Sequence, residues 1–239
     1  MKTLAGLILG VALLVGGGAA QAFDEQHLKK LWALNACEGC DLSGAILSGA
    51  ILTEANLNGA NLFEANLSNT YLIEAKLSKA NLNGANLNGA ILTEANLNGA
   101  ILNGAKLYKA DLTEANLNGA DLIGANLTRA DLTEANLKHA GLSVANLIRA
   151  NLTGADLTGA ILTEANLNGA SLNGTKLRDA DLFGANLKDA DLSGADLIKA
   201  DLTQAKLNGA KLNRAKLNGA ILCMAKFSPD QGEIDTGCK

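Results

Sequence analysis

Residues 91–100 read ILTEANLNGA, which is two pentapeptides with leucine at the second place of each. The same spacing extends in both directions: every fifth residue from Leu42 to Leu222 is leucine without exception, and Phe227 continues the phase. The residue before each leucine is most often Asp or Asn, and the two residues after it are mostly Ser, Thr, Asn, Gly or Glu. A five-residue period therefore governs most of this 239-residue chain.

Alanine fills a second apolar slot, two residues before each leucine, from Ala45 to Ala225 except at Thr70 and Thr175. Neither an α-helix nor a straight β-strand would place all the leucines on one side. Five residues of α-helix advance about 140° net, and a straight strand would point successive leucines to opposite faces. The chain must change direction about once per repeat so that each leucine points to a common axis, which predicts a solenoid of stacked coils.

The composition excludes several classes of function. Aromatic residues make up 3% of the chain, too few for an ordinary globular core, whereas the 48% of hydrophobic residues excludes a disordered chain. A net charge of −4 argues against a nucleic-acid partner bound through a basic surface, and two histidines leave little material for His-based catalysis or a multi-His metal site. We expect no catalytic residues, no cofactor, no metal and no nucleic-acid partner.

The repeated Ala, Asp or Asn, Leu, x, x pattern resembles the pentapeptide repeat family. The resemblance implies an all-β fold, a right-handed quadrilateral β-helix in which four pentapeptides make each 20-residue coil. Residues 37–225 would then form about nine coils, a body about 45 Å long at the usual strand spacing. The leucine column is expected to be a packed core and not a binding channel, since each buried leucine contributes about 1.5–3 kcal/mol.

The first 22 residues, MKTLAGLILGVALLVGGGAAQA, predict a signal peptide with cleavage before Phe23, because Lys2 precedes an apolar run that ends in an Ala-x-Ala site. A retained membrane anchor is the alternative, although the apolar run is at the short limit for a span. No later segment is apolar enough to cross a membrane. We expect an exported protein, in a periplasm or a thylakoid lumen.

Both ends of the repeat region differ from it and predict caps, since a stack of coils has open edges. Residues 23–36 predict a short helix that lays Leu28, Leu31 and Trp32 over the first coil, with a partner-binding helix as the alternative. At the other end, residues 226–239 carry the chain's one proline in a turn sequence, and we expect them to fold over the last coil with Phe227 as a plug.

The four cysteines allow three pairings. On the nine-coil body that the family resemblance implies, Cys40 and Cys223 would lie over about 40 Å apart, whereas bridged Cα atoms lie within about 7 Å. The predicted disulfides are therefore Cys37–Cys40 and Cys223–Cys238. A redox or a zinc role for the Cys-x-x-Cys sequence remains the alternative. The residues around Cys37 and Cys40 are similar to those of exported, cyanobacterial-type members of the family.

Outward-facing residues hold the functional clues. One set is acidic and recurs every 20 residues, which suggests a column on one face, although Glu64 and Glu164 share its phase modulo ten. It is interpreted as a solvated face or as a stripe that binds a cation or a basic partner. Three apolar residues, 60 apart, form a second candidate partner surface. The candidate residues are Glu54, Glu74, Glu94, Glu114 and Glu134, with Phe63, Ile123 and Phe183.

Three classes of function follow from this reading. The first is a non-enzymatic structural or protein-interaction module, a monomer with a protein partner of unknown identity. The second, drawn from relatives in the family, is a DNA mimic that binds a type II topoisomerase; a cation-binding acidic scaffold is a further alternative. The third is an enzyme. The sequence offers no Ser/His/acid or Cys/His set near a plausible pocket, and it has no phosphate-binding loop motif.

Overall fold

The structure is a computed structural model that describes residues 23–228. In this part of the chain one α-helix, α1 (Glu25–Leu34), precedes a long series of isolated parallel β-bridges. Each bridge joins a residue to the residue 20 positions later, from Ala36 with Asn56 to Lys206 with Lys226. Four pentapeptides therefore make one coil, and every side of a coil stacks on the same side of the next.

A β-turn ends each pentapeptide and directs the chain into the next side. In the first complete repeat, the Ala45 amide donates to the Leu42 carbonyl at 3.0 Å, and the same bond recurs along the stack. The second residue after each leucine has a positive φ, from Gly44 at 69° to Met224 at 57°, and Gly39, two residues after Cys37, has a φ of 63°. This is the requirement of the third position of a type II turn. Glycine meets it without strain and occupies many of these positions.

Backbone hydrogen bonds between coils pair almost every remaining amide. The Leu42 amide donates to the Asn61 carbonyl at 2.7 Å, and the Gly44 amide donates to the Phe63 carbonyl at 2.8 Å. In the reverse direction, the Asn61 amide donates to the Cys40 carbonyl at 2.8 Å. Of the five amides in a repeat, only the one directly after the leucine lacks a backbone acceptor in this scheme. Where Asp or Asn precedes the leucine, its side chain accepts this amide, as described below.

The core is a column of leucine and alanine. Leucines from Leu42 to Leu207 are at most 1% exposed, and the alanines between them are buried as well, except Ala50, which is partly buried. Thr70 and Thr175, which replace alanine, are also fully buried. Their hydroxyls donate to the carbonyls of residues 47 and 152 at 2.9 and 2.8 Å, which removes the cost of burying them.

Helix α1 covers the first coil with one face. Asp24 caps its first turn by accepting the Gln26 amide at 2.7 Å, and Leu31 is 1% exposed against the core. Leu28 is partly buried there, whereas Trp32 is 52% exposed. The expectation that Trp32 lies over the coil is therefore wrong: Trp32 follows Leu31 directly, and neighbouring helical residues point about 100° apart.

The opposite end of the stack is less closed within the described residues. Leu212 and Leu217 of the last coil are only partly buried. Phe227 packs partly buried against the core, and the Ser228 hydroxyl accepts the Gly209 amide at 2.9 Å. The capping role predicted for the tail after Ser228 concerns residues 229–239, which lie outside the described part of the chain.

Candidate functional site

The acidic face consists of Glu54, Glu74, Glu94, Glu114 and Glu134. The 20-residue register of the bridges places these glutamates in one slot of five successive coils, and all five are exposed. At about 4.8 Å per coil, the column spans about 19 Å. The sequence could not separate this column from Glu64 and Glu164, but a ten-residue offset is two sides of a coil, so those two lie on the opposite face.

Each glutamate of the acidic face occupies a backbone conformation that favours glycine. Their φ angles lie between 55° and 57°, in the left-handed region where a Cβ crowds the following carbonyl at a cost of about 1–2 kcal/mol. Farther along the same column, Gly154, Gly174 and Gly194 take this position at φ between 65° and 71°. The acidic face therefore carries charged side chains where glycine would fit with less strain.

More carboxylates lie beside the acidic face. Asp111 and Asp131 occupy the slot before the leucine on the same side of the coil, and the Thr93 hydroxyl donates to Asp111 at 3.2 Å. None of the ion pairs found between residues 23 and 228 includes a glutamate of the acidic face. The five carboxylates are thus directed to solvent without a basic partner in the described chain.

The asparagine ladder, formed by the Asp and Asn residues directly before the leucines, was not anticipated from the sequence. Each of them from Asp41 to Asp201 accepts the amide two residues ahead, as when Asn116 accepts the Asn118 amide at 3.2 Å. This amide, directly after the leucine, is the one that has no backbone acceptor. Several amides also donate one coil back, from Asn136 to Asn116 at 3.2 Å. The ladder explains the residue preference as turn chemistry.

Lysine in this slot removes the acceptor, and at Lys76 and Lys106 the preceding coil supplies another. The Ser78 amide, two residues after Lys76, donates to the Asn58 side chain at 3.0 Å. The amide of residue 108, two residues after Lys106, likewise donates to Asn88 at 2.9 Å. At these two interruptions of the ladder, an asparagine of the preceding coil keeps the turn amide paired.

Ion pairs concentrate in the second half of the stack. Asp156 lies 3.4 Å from Lys138 and 3.3 Å from Lys176. Burial raises the pKa of Asp156, but hydrogen bonds from the Thr158 hydroxyl and amide, together with the two lysines, outweigh it and hold the pKa below its ordinary value of 3.8.

Asp196 shows the same balance around a guanidinium group. Its carboxylate lies 2.8 Å from Nε of Arg178. Burial again raises the pKa of Asp196, and the Arg178 hydrogen bond and charge, with the Ile198 amide, bring it below its ordinary value. The carboxylates of Asp156 and Asp196 are therefore paired with basic side chains of the rod, unlike the glutamates of the acidic face.

The predicted apolar surface is not continuous. Phe63 and Ile123 are 41% and 45% exposed, and Phe183 is half-buried. The register of the bridges places the three side chains in one column, three coils apart, with polar residues in the intervening slots such as Asn83 and Thr163. The structure therefore aligns these residues without bringing them into contact.

The Cys-x-x-Cys sequence is part of the core. Cys37 occupies a leucine slot and Cys40 an alanine slot, and they form a disulfide with Cα atoms 5.2 Å apart. They are 0% and 2% exposed, whereas redox-active cysteines need access to solvent. Sγ of Cys37 also lies 3.1 Å from the His27 carbonyl of α1, a contact without a hydrogen because the sulfur is oxidised.

Cys223 is disulfide-bonded as well, in an outward slot near the last coil. Its predicted partner, Cys238, lies outside the described residues. Within residues 23–228, no group of three or more His, Cys, Asp or Glu side chains is placed to hold a metal ion. The cation-binding alternative therefore has no ligand set among the described residues. No helix in that range is long and apolar enough to span a membrane.

The chain belongs to the pentapeptide repeat family. The family model of pentapeptide repeats matches residues 36–69, 70–107, 110–147, 145–184 and 185–222. The fold is therefore the right-handed quadrilateral β-helix of this family. Its members are generally non-enzymatic structural or interaction modules, and no catalytic family is indicated. A comparison with curated protein sequences finds no match.

One solved structure agrees with the family assignment. HetL from the cyanobacterium Nostoc sp. strain PCC 7120, a pentapeptide repeat protein involved in heterocyst differentiation regulation, is 38% identical with a TM-score of 0.58. The match covers 83% of this chain and 94% of HetL. A pentapeptide repeat protein of the Arabidopsis thaliana thylakoid lumen is 32% identical over 40% of this chain and 70% of its own, with a TM-score of 0.35.

Proposed function

We propose that this protein is a non-enzymatic interaction module of an exported compartment, a periplasm or a thylakoid lumen, and that its acidic face docks a protein partner rich in basic side chains. In this proposal the body is a rod of about nine coils with α1 at one end. The rigid stack serves to hold charges at a fixed spacing, which a flexible acidic segment would not do.

The observation that carries the proposal is the alignment of five exposed and unpaired glutamates in one slot of successive coils, since every coil has a left-handed residue at this turn position. A backbone that favours glycine bears a charged side chain in each coil from Glu54 to Glu134, at a conformational cost in each. No described cation neutralises these carboxylates. A strained and unpaired column of like charge is more readily explained by an external cationic partner than by stability of the rod.

Export is supported by the first 22 residues and by the oxidised cysteines. Structural disulfides persist in oxidising compartments, and Cys37, Cys40 and Cys223 are all disulfide-bonded. The test of this part is recovery of the protein from fractionated cells followed by N-terminal sequencing. We expect it outside the cytoplasm with Phe23 as its first residue. Cytoplasmic protein that begins at Met1 would contradict export.

The charge distribution disfavours the duplex mimic as a description of the whole rod. Residues 202–228 contain five basic residues and no acidic one. A mimic of duplex DNA needs negative charge along its length, because the duplex carries one about every 1.7 Å. The glutamates of the acidic face end at Glu134, and the last coils carry no acidic residue at all.

The docking test uses the mature protein as bait on extracts of the exported compartment. A triple variant, E74Q/E94Q/E114Q, removes three charges of the acidic face without changing side-chain size. The matched control, E64Q/E164Q, removes glutamates in the same turn position on the opposite face. We expect a partner retained by the wild type and the control and lost by the triple variant. Equal retention by all three proteins would contradict docking at the acidic face.

A further inference from the structure

One repeat of the rod departs from the pattern at two positions. Residues 140–144 read AGLSV, and no other repeat between Leu42 and Leu222 has glycine directly before its leucine. Val144, two residues after the leucine, has a φ of 52° and is the only β-branched residue with a positive φ among residues 23–228. Glycine therefore stands where the rod uses a side chain, and a branched side chain stands where the backbone favours glycine.

Gly141 removes one rung of the asparagine ladder. In the other rungs the side chain in this slot accepts the amide two residues ahead, so that amide points outward over the slot. The Ser143 amide has no acceptor among the described residues. The preceding coil does not supply one as it does at Lys76 and Lys106, because the residue in the corresponding place is Ile123. A notch without a side chain is left in front of an unpaired donor.

Two other rungs show which group this slot holds above an aspartate. Asn151 accepts the Thr153 amide at 3.2 Å and donates to Oδ1 of Asp131, one coil earlier, at 3.2 Å. Asn61 likewise donates to Oδ1 of Asp41 at 2.9 Å. A single carboxamide group thus satisfies the turn amide of its own coil and the carboxylate of the coil before.

Asp121 offers the same oxygen beside the notch. It is paired with Gly141 across the coils, and its Oδ1 lies 3.3 Å from the place of a Cβ on Gly141. Among the described residues this oxygen accepts only the Ile123 amide, at 3.3 Å, which Asn103 also accepts at 2.9 Å. A carboxamide would pair with both Oδ1 and the Ser143 amide. A carboxylate would be repelled by Asp121, and an ammonium group would leave the amide unpaired.

Exposed apolar side chains surround the notch. Ile161 is paired with Gly141 from the next coil, and Cγ1 of Ile123 lies 4.0 Å from the place of a Cβ on Gly141. Ile123, Val144 and Ile161 are 45%, 54% and 47% exposed. Binding hot spots have this arrangement, a central pocket surrounded by contacts that exclude water. The strain of Val144 adds nothing to the core, and backbone strain of this kind clusters at functional sites.

We propose that the notch at Gly141 binds the side-chain carboxamide of an asparagine or glutamine presented by a protein partner. The carboxamide completes the missing rung: its oxygen accepts the Ser143 amide, and its nitrogen donates to Asp121. The two exposed isoleucines and the valine pack around it. The notch lies in a different column of the rod from the acidic face, so either proposal can fail without the other.

The first test titrates the isotope-labelled mature protein with tripeptides of sequence Val-X-Val, followed by NMR. The ends are acetyl and N-methylamide, so that X carries the only primary amide, and X is Asn, Asp, Leu or Lys. We expect the Asn peptide to shift the Ser143 amide saturably and to bind several-fold tighter than the other three. The Thr153 amide, already paired with Asn151, should not shift. An Asn peptide that binds no tighter than the Asp or Leu peptide would overturn the proposal.

The second test removes the notch and the donor separately. G141N supplies the missing rung from the chain itself. S143P removes the amide and leaves the notch open, and proline suits this position of a type II turn, so the fold should be kept. Both variants should lose the saturable response to the Asn peptide, followed at the Val144 amide. The control S68P, at the same turn position of a distant repeat, should keep it. Binding retained by either G141N or S143P would contradict the assigned contacts.

Discussion

Asn136 donates from its side-chain amide to Oδ1 of Asn116, one coil earlier, at 3.2 Å, and the same oxygen accepts the backbone amide of Asn118 at 3.2 Å. One side chain thus holds two coils together and pairs the amide that the backbone scheme leaves out. The arrangement recurs on all four sides of the rod. These two hydrogen bonds explain why Asn and Asp are preferred at the position directly before each leucine.

Replacing Asn116 tests the ladder. We expect N116A to lower the free energy of unfolding by about 1–3 kcal/mol, because the Asn118 amide loses its acceptor in a part-buried position. N116D keeps that acceptor and should cost less. The measurement is urea unfolding followed by circular dichroism. The control is K106A, where Asn88 already serves the turn amide. Equal losses in N116A and N116D would contradict the assigned role of the oxygen.

Val144 is the position where glycine should stabilise the rod. Its φ is 52°, a left-handed conformation that is unfavourable for a β-branched residue. We expect V144G to raise the free energy of unfolding by about 1 kcal/mol, since relief of about 1–2 kcal/mol of strain exceeds the extra entropy of glycine in the unfolded chain.

The matched control for V144G lies one coil earlier in the same slot. Gly124 has a φ of 65° and no atom within 4 Å of a Cβ placed on it, so a side chain there meets open space. G124V should therefore cost about 1–2 kcal/mol through the backbone alone. Thermal unfolding of both variants gives the comparison. A destabilised V144G would show that contacts of the valine side chain outweigh its strain.

Acid should weaken the second half of the rod through Asp156 and Asp196. The pKa of each is lower in the folded chain than its ordinary value of 3.8, so each ionised carboxylate stabilises the fold above that pH. This contribution is lost as the pH falls below 3.8 and through the lowered pKa. We expect D156N/D196N to be less stable than the wild type near neutral pH and to lose less stability on acidification.

The hydroxyl of Thr158 provides a sharper version of the pH experiment. It donates to Asp156 at 2.7 Å. T158V should raise the pKa of Asp156 because burial would then be opposed by fewer hydrogen bonds. The loss of stability should accordingly begin at a higher pH, as followed by NMR titration of the Asp156 carboxyl. An unchanged titration would assign the lowered pKa to the lysines instead.

Helix α1 offers a matched pair for the N-terminal end. Leu31 is 1% exposed and its neighbour Trp32 is 52% exposed. We expect L31A to cost about 2–5 kcal/mol and to increase hydrogen exchange in the first coil, because it opens a cavity under the helix. W32A should change stability little. If W32A is the more damaging variant, α1 packs through its other side.

Several features of the site could be predicted from the sequence, and others could not. The 20-residue spacing predicted the column from Glu54 to Glu134, but Glu64 fits the same spacing modulo ten, and only pairing between coils separates the two. Cys37 and Cys40 stand five residues before Leu42 and Ala45, but only the structure shows that the coil extends back to them and buries them. The role of the asparagine ladder depends on an amide whose lack of a backbone acceptor appears only in three dimensions.

The sequence by itself determined the period of the backbone, the inward leucine and alanine, and the exclusion of most catalytic chemistry, because burial of one residue type at a fixed interval is a one-dimensional property. The tertiary structure decided which outward residues become neighbours. Adjacency on this rod is set by hydrogen bonds between residues 20 apart, such as those joining residue 42 to residue 61. The turn at each corner, closed by the bond from the alanine amide to the leucine carbonyl, adds the left-handed conformation in which the glutamates of the acidic face lie.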